Sequence, residues 1–170
     1  KVFCVQIGKV YRSGYDMHVS NGILYNHESP RRGENFVTQK IVRGAASIAQ
    51  GETDFLELGI LDIERDWGYA PDYVLGMWMM LQQEQADDYI LATGKNHRLS
   101  DFLQLCFDYF GLDHQKHIRI NPKFVRPNEP VQLCGDSSKA QNVLGWKPSV
   151  TFEQMIEKMC KAAEKSNKPR

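Results

Sequence analysis

The sequence has few cysteines and no long apolar run, and both absences limit what the protein can be. Its four cysteines, Cys4, Cys106, Cys134 and Cys160, lie far apart, without a Cys-x-x-Cys pair or a neighbouring histidine cluster. This spacing predicts reduced thiols in a cytoplasmic protein and no metal site. No stretch is apolar enough to predict a membrane span or a signal peptide, so we expect no membrane partner.

An excess of charge of either sign is also missing. The 170 residues contain 21 Lys and Arg against 21 Asp and Glu, which gives a formal net charge of +0 at pH 7. A balanced chain has no overall field to attract nucleic acid or acidic membranes. We therefore expect no nucleic-acid partner, and any site that binds anions must be built from local groups.

The sequence begins at Lys1 without an initiator methionine, inside a pattern typical of a helix. Helix-like and strand-like patterns then alternate, which favours an α/β fold. The expected helices lie at 2–12, 36–50, 71–81, 99–110 and 151–160, and the expected strands at 17–25, 55–58, 88–92 and 118–120. These strands are too few for a complete doubly wound sheet, so we interpret the chain as the second half of a larger protein.

Apolar spacing also predicts which helix faces are buried. Val74, Met77, Trp78 and Leu81 share one face of the third expected helix, and the first helix is apolar enough to be buried. A Thr-x-x-Gln capping box that begins at Thr151 predicts the start of the last helix.

The most distinctive polar stretch is the 26–40 segment, Asn-His-Glu-Ser-Pro-Arg-Arg-Gly-Glu-Asn-Phe-Val-Thr-Gln-Lys. An apolar strand leads into it and a helix leaves it, which is where α/β sheets bind ligands. Arg31 and Arg32 can present forked donors to a phosphate, and Asn35 can cap the following helix. The alternative is a solvated loop with surface arginines, and residue types alone leave both interpretations open.

The exact string of the 26–40 segment resembles the signature loop of GDP-mannose 4,6-dehydratases, a family of the extended short-chain dehydrogenase/reductase superfamily. Further strings at 65–74, 77–82, 92–94, 126–129 and 135–148 resemble the same family in order and spacing. The resemblance covers essentially the whole chain. The first loop is highly specific, whereas many sugar-nucleotide enzymes share the last string.

The resemblance implies the C-terminal portion of an NAD(P)-binding Rossmann-type fold, as found in extended short-chain dehydrogenases. The last Rossmann elements would lie near 1–34 and 86–94, and the remainder would form the smaller α/β substrate-binding part. The N-terminal cofactor-binding half would be absent, so the chain is expected to be inactive alone. Family members are commonly dimers or tetramers, which implies a homo-oligomer when the protein is complete.

The family activity converts GDP-mannose to GDP-4-keto-6-deoxymannose, a step towards GDP-fucose and other deoxyhexoses. Bound NADP takes a hydride from sugar carbon 4, a carboxylate removes the proton at carbon 5, water leaves carbon 6, and the hydride returns there. Lys1 stands where the family has the catalytic lysine of its Tyr-x-x-x-Lys pair, whose charge favours the phenolate of the tyrosine. That tyrosine would precede the first residue given.

Residue roles follow from the same resemblance. Lys1, His27 and Arg32 match positions that contact NADP. Positions that bind GDP-mannose are matched by Asn26, Val37, Lys40, Arg65, Arg126 and Glu129.

Each transferred role has a plainer alternative. For His27 the alternative is a histidine whose ring is hydrogen-bonded to the backbone at a strand end, and for Lys40 it is a solvated helix surface. Arg65 suits a diphosphate because its charge is permanent and delocalised, but an ion pair with Asp66 or Asp72 would also explain an arginine at this position. For the whole chain, the rivals are a related nucleotide-sugar reductase or epimerase and a non-catalytic binding or assembly module.

Overall fold

The computed structural model describes residues 1–125 and 132–166 and has an α/β arrangement of short strands and longer helices. Its helices are α1 (Val2–Gly14), α2 (Val37–Ala49), α3 (Ala70–Leu81), α4 (Leu99–Tyr109), α5 (His114–His117) and α6 (Phe152–Ser166). Its strands are β1 (Gly22–Leu24), β2 (Asn26–Glu28), β3 (Leu56–Leu58), β4 (Glu64–Arg65), β5 (Trp67–Tyr69), β6 (Tyr89–Leu91), β7 (His97–Arg98), β8 (Ile118–Ile120) and β9 (Gln132–Leu133). A 3₁₀ turn spans Pro122–Phe124, and a π-helical turn spans Ala140–Leu144.

The strands pair mostly in parallel, as expected when helices connect them. Strand β1 pairs with β6, β2 with β5, and β3 with β8, while β4 lies between antiparallel β7 and parallel β9. The expected strand at 17–25 is therefore only partly right. The chain changes partner near Tyr25, whose amide still donates to the carbonyl oxygen of Leu91 in β6, and then pairs with β5.

The largest apolar core lies among α2, α4 and α6, whose inward faces are fully covered. Side chains buried there include Ile41, Val42, Phe102, Leu103, Met155 and Ile156. The capping box at the start of α6 is confirmed. The Thr151 amide donates to Gln154 Oε1 at 3.0 Å, and the Gln154 amide donates to Thr151 Oγ1 at 3.3 Å.

The expected buried face of α3 is wrong, because the helix turns its small and aromatic side inward instead. Trp78 is 59% exposed, and Val74, Met77 and Leu81 are exposed with it. Gly76 faces inward, where an added Cβ would lie 2.7 Å from Leu91 and 2.9 Å from Trp146. Close approach of the α3 backbone to β6 thus depends on Gly76, and this selects the buried face.

Helix α1 was also expected to be buried, and this is wrong for the described chain. Val2, Phe3 and Val10 are exposed, and Gly8 is the buried residue of the helix. An ion pair between Arg12 and Asp88 and a 2.7 Å hydrogen bond from Asn21 to Asp88 tie the end of α1 to the β1–β6 pair. Among the described helices, none is both long and apolar enough to cross a membrane.

Candidate functional site

The 26–40 segment consists of strand β2, two consecutive turns and the first turn of α2. The Arg32 amide donates to Ser29 O at 2.9 Å, and the Phe36 amide donates to Gly33 O at 3.1 Å. The expected cap by Asn35 is wrong. Phe36, with an extended backbone, occupies the N-cap position without a side-chain cap, since α2 begins only at Val37. The segment therefore has a defined backbone shape.

His27 is fixed on both sides by groups of the protein. Its Nδ1 lies 2.8 Å from the carbonyl oxygen of Tyr25, and its ring stacks on Tyr73 with centroids 5.1 Å apart. Opposite His27 in strand β5 is Gly68, where an added Cβ would lie 2.6 Å from the Tyr73 hydroxyl oxygen. The backbone contact foreseen as the plainer alternative is present. It uses Nδ1 and leaves Nε2 as the nitrogen for a ligand.

Glu28 is the buried acid of the segment and was not singled out from the sequence. Its side chain is 1% exposed. Thr38 Oγ1 donates to its Oε2 at 2.6 Å, and Arg32 Nε lies 3.2 Å from the same oxygen. Burial raises the pKa of Glu28, while the Thr38 hydrogen bond and the charge of Arg32 lower it in part. The position of Glu28 within the family-specific 26–40 segment was the sequence signal for its importance. Its burial could not be predicted, because a single polar residue in a loop has no pattern that indicates burial.

Arg32 is held by three neighbours rather than extended into solvent. Beside the ion pair with Glu28, its Nη1 donates to the carbonyl oxygen of His27 at 3.4 Å. Its guanidinium carbon lies 3.5 Å from the centroid of the Phe36 ring. The structure thus brings His27 and Arg32 into direct contact. Neighbouring Arg31 has an exposed side chain, as the solvated-loop interpretation expected.

Lys40 is partly buried on α2, and its ammonium lies over an aromatic ring. Its Nζ is 3.9 Å from the centroid of Phe124, a contact that stabilises a cation and limits its motion. Val37, one turn earlier, is half-buried beside the core. The alternative interpretation, in which Lys40 is a solvated lysine on the helix surface, therefore does not describe this side chain well. Asn26 is exposed at the start of β2.

Arg65 lies in the middle of the β7–β4–β9 sheet, opposite His97 and Leu133. It is only 6% exposed, and its Nη1 donates to Glu64 O at 2.7 Å. A buried arginine within a sheet is a fixed cation, and its delocalised, permanent charge suits a diphosphate. Arg126 and Glu129 fall outside the described residues, so the structure does not place them.

The two acids considered as partners of Arg65 bind other groups. Asp66 accepts hydrogen bonds from the amides of Thr93 at 2.8 Å, Gly94 at 2.9 Å and Gly135 at 3.2 Å. Asp72 accepts from the Ser149 hydroxyl at 2.6 Å. Asp66 therefore joins β4 to the loop after β6, a structural role that the sequence did not reveal.

Lys1 is exposed at the N-terminal end of α1, on an element separate from the 26–40 segment. As a donor set, the Lys1 ammonium, His27 Nε2 and the terminal nitrogens of Arg32 suit an anionic dinucleotide that also carries an amide. The residues present therefore fit the cofactor that the resemblance implies. Among the residues that the structure describes, no group of three or more His, Cys, Asp and Glu side chains is placed to hold a metal ion.

Comparison with known proteins places this chain in a family. The model of the GDP-mannose 4,6 dehydratase family matches residues 1–159. "GDP-mannose 4,6 dehydratase 1" of Arabidopsis thaliana is 50% identical over 149 residues, covering 88% of this chain and 41% of the relative. The Drosophila melanogaster "GDP-mannose 4,6 dehydratase" is 47% identical over 169 residues, covering 89% of this chain and 43% of the relative.

Solved structures support the expected fold. A structure of RMD from Pseudomonas aeruginosa complexed with NADPH superposes with a TM-score of 0.84 at 20% identity, over 94% of this chain and 52% of that one. The Rossmann-type α/β fold of the extended short-chain dehydrogenases is thereby confirmed. The chain spans about 32 to 50% of the length of curated relatives such as these. With the family model over nearly its whole length, the chain belongs to the GDP-mannose 4,6-dehydratase family.

Proposed function

We propose that the protein carrying this chain is a GDP-mannose 4,6-dehydratase, which uses NADP to convert GDP-mannose to GDP-4-keto-6-deoxymannose. The proposal rests on the 26–40 segment, in which buried contacts hold the charged side chains in place. There, one buried acid, Glu28, holds Arg32 beside His27 and also fixes the start of the helix that bears Lys40. A merely solvated loop would not need these buried contacts.

On the cofactor side, bound NADP would accept a hydride from the sugar and later return it. The contribution of the chain is to hold that cofactor. His27 offers Nε2 from a ring fixed by Tyr25 and Tyr73, and Arg32 offers a permanent positive charge. Lys1 would stabilise a neighbouring phenolate, as its match to the family lysine implies.

On the substrate side, the cations suit a nucleoside diphosphate sugar. Buried Arg65 would bind the diphosphate, and Lys40 would add a second charge once its ring contact with Phe124 is exchanged for the anion. Asn26 and Val37 would contact the sugar from the two ends of the segment. Arg126 and Glu129 complete the proposed set through their match to the family pattern.

The test is a reaction of the natural polypeptide with GDP-mannose, followed by mass spectrometry and by NADPH absorbance. A dehydratase yields a product lighter by one water, with no net change in NADPH. A reductase would consume NADPH, and an epimerase would give a product of unchanged mass. Either of these results would overturn the proposal. The Arg65→Ala variant should weaken GDP-mannose binding far more than NADP binding, whereas equal losses would indicate a structural role for Arg65.

A non-catalytic nucleotide-sugar-binding protein is the alternative that the same experiment separates from the enzyme. Binding of GDP-mannose, measured by calorimetry, without any turnover would support this candidate over the enzyme.

The unpaired thiols suit a cytoplasmic protein. The exposed apolar faces of α1 and α3 are consistent with a homo-oligomer, a dimer or a tetramer, and size-exclusion chromatography with light scattering would test this.

A further inference from the structure

The contacts of Glu28 suggest a function beyond filling space. A carboxylate that is withdrawn from water costs free energy unless charged or hydrogen-bonding groups compensate it. Here both compensating groups, Thr38 Oγ1 at 2.6 Å and Arg32 Nε at 3.2 Å, meet the same oxygen, Oε2. One buried atom therefore joins the loop that carries Arg32 to the first turn of α2.

The guanidinium of Arg32 is oriented by this arrangement. Nε forms an ion pair with Glu28, Nη1 donates to His27 O at 3.4 Å, and Cζ lies 3.5 Å from the centroid of the Phe36 ring. Within residues 1–125 and 132–166, Nη2 has no hydrogen-bond partner. An arginine has five N–H donors in a fixed plane, so fixing one side of the guanidinium also fixes the direction of the other.

We propose that Glu28 is a positioning residue, which turns the Nη2 side of Arg32 towards an anionic group of the bound dinucleotide. Through its hydrogen bond with Thr38, Glu28 also keeps the Arg32 guanidinium in a fixed position relative to α2. Glu28 itself does not touch the cofactor. The inference rests on the proposed cofactor role of Arg32. It adds that cofactor affinity depends on a residue buried beneath the site, and that the loop and α2 act together.

The test is a double-mutant cycle on NADP affinity in the natural polypeptide, stripped of cofactor and titrated by calorimetry. Four proteins are compared: wild type, Glu28→Gln, Arg32→Gln and the double variant. Glu28→Gln keeps an acceptor for Thr38 but removes the charge that holds Arg32. We expect about a tenfold loss of affinity, a typical coupling for residues in one ion-pair network. In the Arg32→Gln background, the same change should have no further effect.

Each other result is informative. If Arg32→Gln binds NADP as tightly as wild type, the proposed cofactor role of Arg32 fails, and the positioning inference fails with it. If Arg32→Gln weakens binding but Glu28→Gln does not, only the positioning inference is overturned. Equal losses from Glu28→Gln with and without Arg32 would also overturn it, because Glu28 would then act through general stability.

Two further variants keep the test decisive if Glu28→Gln does not fold. Thr38→Val removes the hydrogen bond but keeps the charge of Glu28, and should weaken NADP binding about threefold, towards the low end of such couplings. Thr38→Ser should restore wild-type affinity because it retains the hydroxyl. Wild-type affinity in Thr38→Val would overturn the link to α2. Exposed Glu34, which pairs with Arg43, is the matched control, and Glu34→Gln should leave NADP affinity unchanged.

Discussion

Two regions of the molecule differ in how completely they cover their apolar surface. The first, the three-helix region, is formed by α2, α4 and α6 and has a continuous core of fully buried side chains. The second, the two-helix region, is formed by α1, α3 and the β1–β6 pair and has only a small core around Tyr73 and Trp146. Its helices expose Phe3, Val10 and Trp78 to solvent.

The difference shows that helices with similar apolar content can bury their apolar faces in one region and expose them to solvent in another. In the three-helix region, each apolar stripe meets another across the core, so burial stabilises the fold. In the two-helix region, apolar side chains remain on the surface, a feature typical of surfaces that contact another protein segment. Stability of the described chain should therefore depend mainly on the three-helix region, while the exposed apolar side chains of the two-helix region can be altered with little cost.

The largest expected effect is in the core of the three-helix region. Phe102 is 0% exposed and lies 5.8 Å from Trp67, ring centroid to ring centroid. Phe102→Ala should lower the free energy of unfolding by about 3–5 kcal/mol, because it leaves a cavity. Chemical denaturation followed by far-UV circular dichroism measures this. Trp78→Ala on α3 is the control and should change stability by less than about 0.5 kcal/mol. Similar losses in both variants would refute the contrast between the regions.

A smaller effect is expected where the two regions are joined. Asp66 precedes Trp67, which packs in the core of the three-helix region, and its carboxylate accepts from the amides of Thr93 and Gly94 in the loop after β6. The side chain therefore connects the two regions. Asp66→Ala leaves the amides of Thr93, Gly94 and buried Gly135 without this acceptor and should cost about 2–3 kcal/mol. Asp136→Ala is the matched control, since within residues 1–125 and 132–166 its exposed carboxylate accepts hydrogen bonds only from nearby Ser138. If the two variants lose equal stability, Asp66 does not join the regions as we propose.

Sequence patterns predicted the three-helix region better than the rest, for physical reasons. The periodic stripes of α2 and α6 and the Thr151 cap depend on neighbours within a few residues, so the local sequence contains the information. Strands β4, β7 and β9 have only two residues each, and their partners lie far along the chain. The inward face of α3 was missed because it is set by Gly76 against Trp146, a tertiary contact that helical spacing does not reveal.

For the candidate site, the sequence identified the segment but not its internal support. His27, Arg32 and Lys40 were identified by their match to a specific string. Glu28 was not, because a carboxylate in a polar loop gives no sign of burial. Ring contacts such as that of Lys40 with Phe124 join residues too distant in sequence to be paired by inspection.

A still smaller effect should come from a helix cap. Thr151 caps α6, the longest helix of the three-helix region. Thr151→Ala should lower the free energy of unfolding by about 1 kcal/mol, since an amide at the helix start loses its acceptor. Asp113 caps the four-residue α5 through the amide of Gln115, so Asp113→Ala is a control on a short element. Its cost should be lower, and urea denaturation distinguishes the two. A larger loss at Asp113 would contradict this order.

The smallest expected effect is a change of stability with pH at Glu28, which links β2 to α2. Burial raises the pKa of Glu28 above its ordinary value of 4.5, but the Thr38 hydrogen bond and the charge of Arg32 oppose that rise. The folded state therefore binds this proton more tightly than the unfolded state. Its contribution to stability is fully present below pH 4.5 and is lost as the pH rises through the raised pKa.

Glu28→Gln has no such proton to lose, so its stability relative to wild type should increase as the pH rises above 4.5. Urea denaturation of both proteins from acid to neutral pH measures this difference. Phe102→Ala, which alters no titrating group, should run parallel to wild type over the same range. A difference between Glu28→Gln and wild type that stays constant with pH would mean that the partners of Glu28 fully offset its burial. The carboxylate would then connect the loop and α2 without any electrostatic cost at neutral pH.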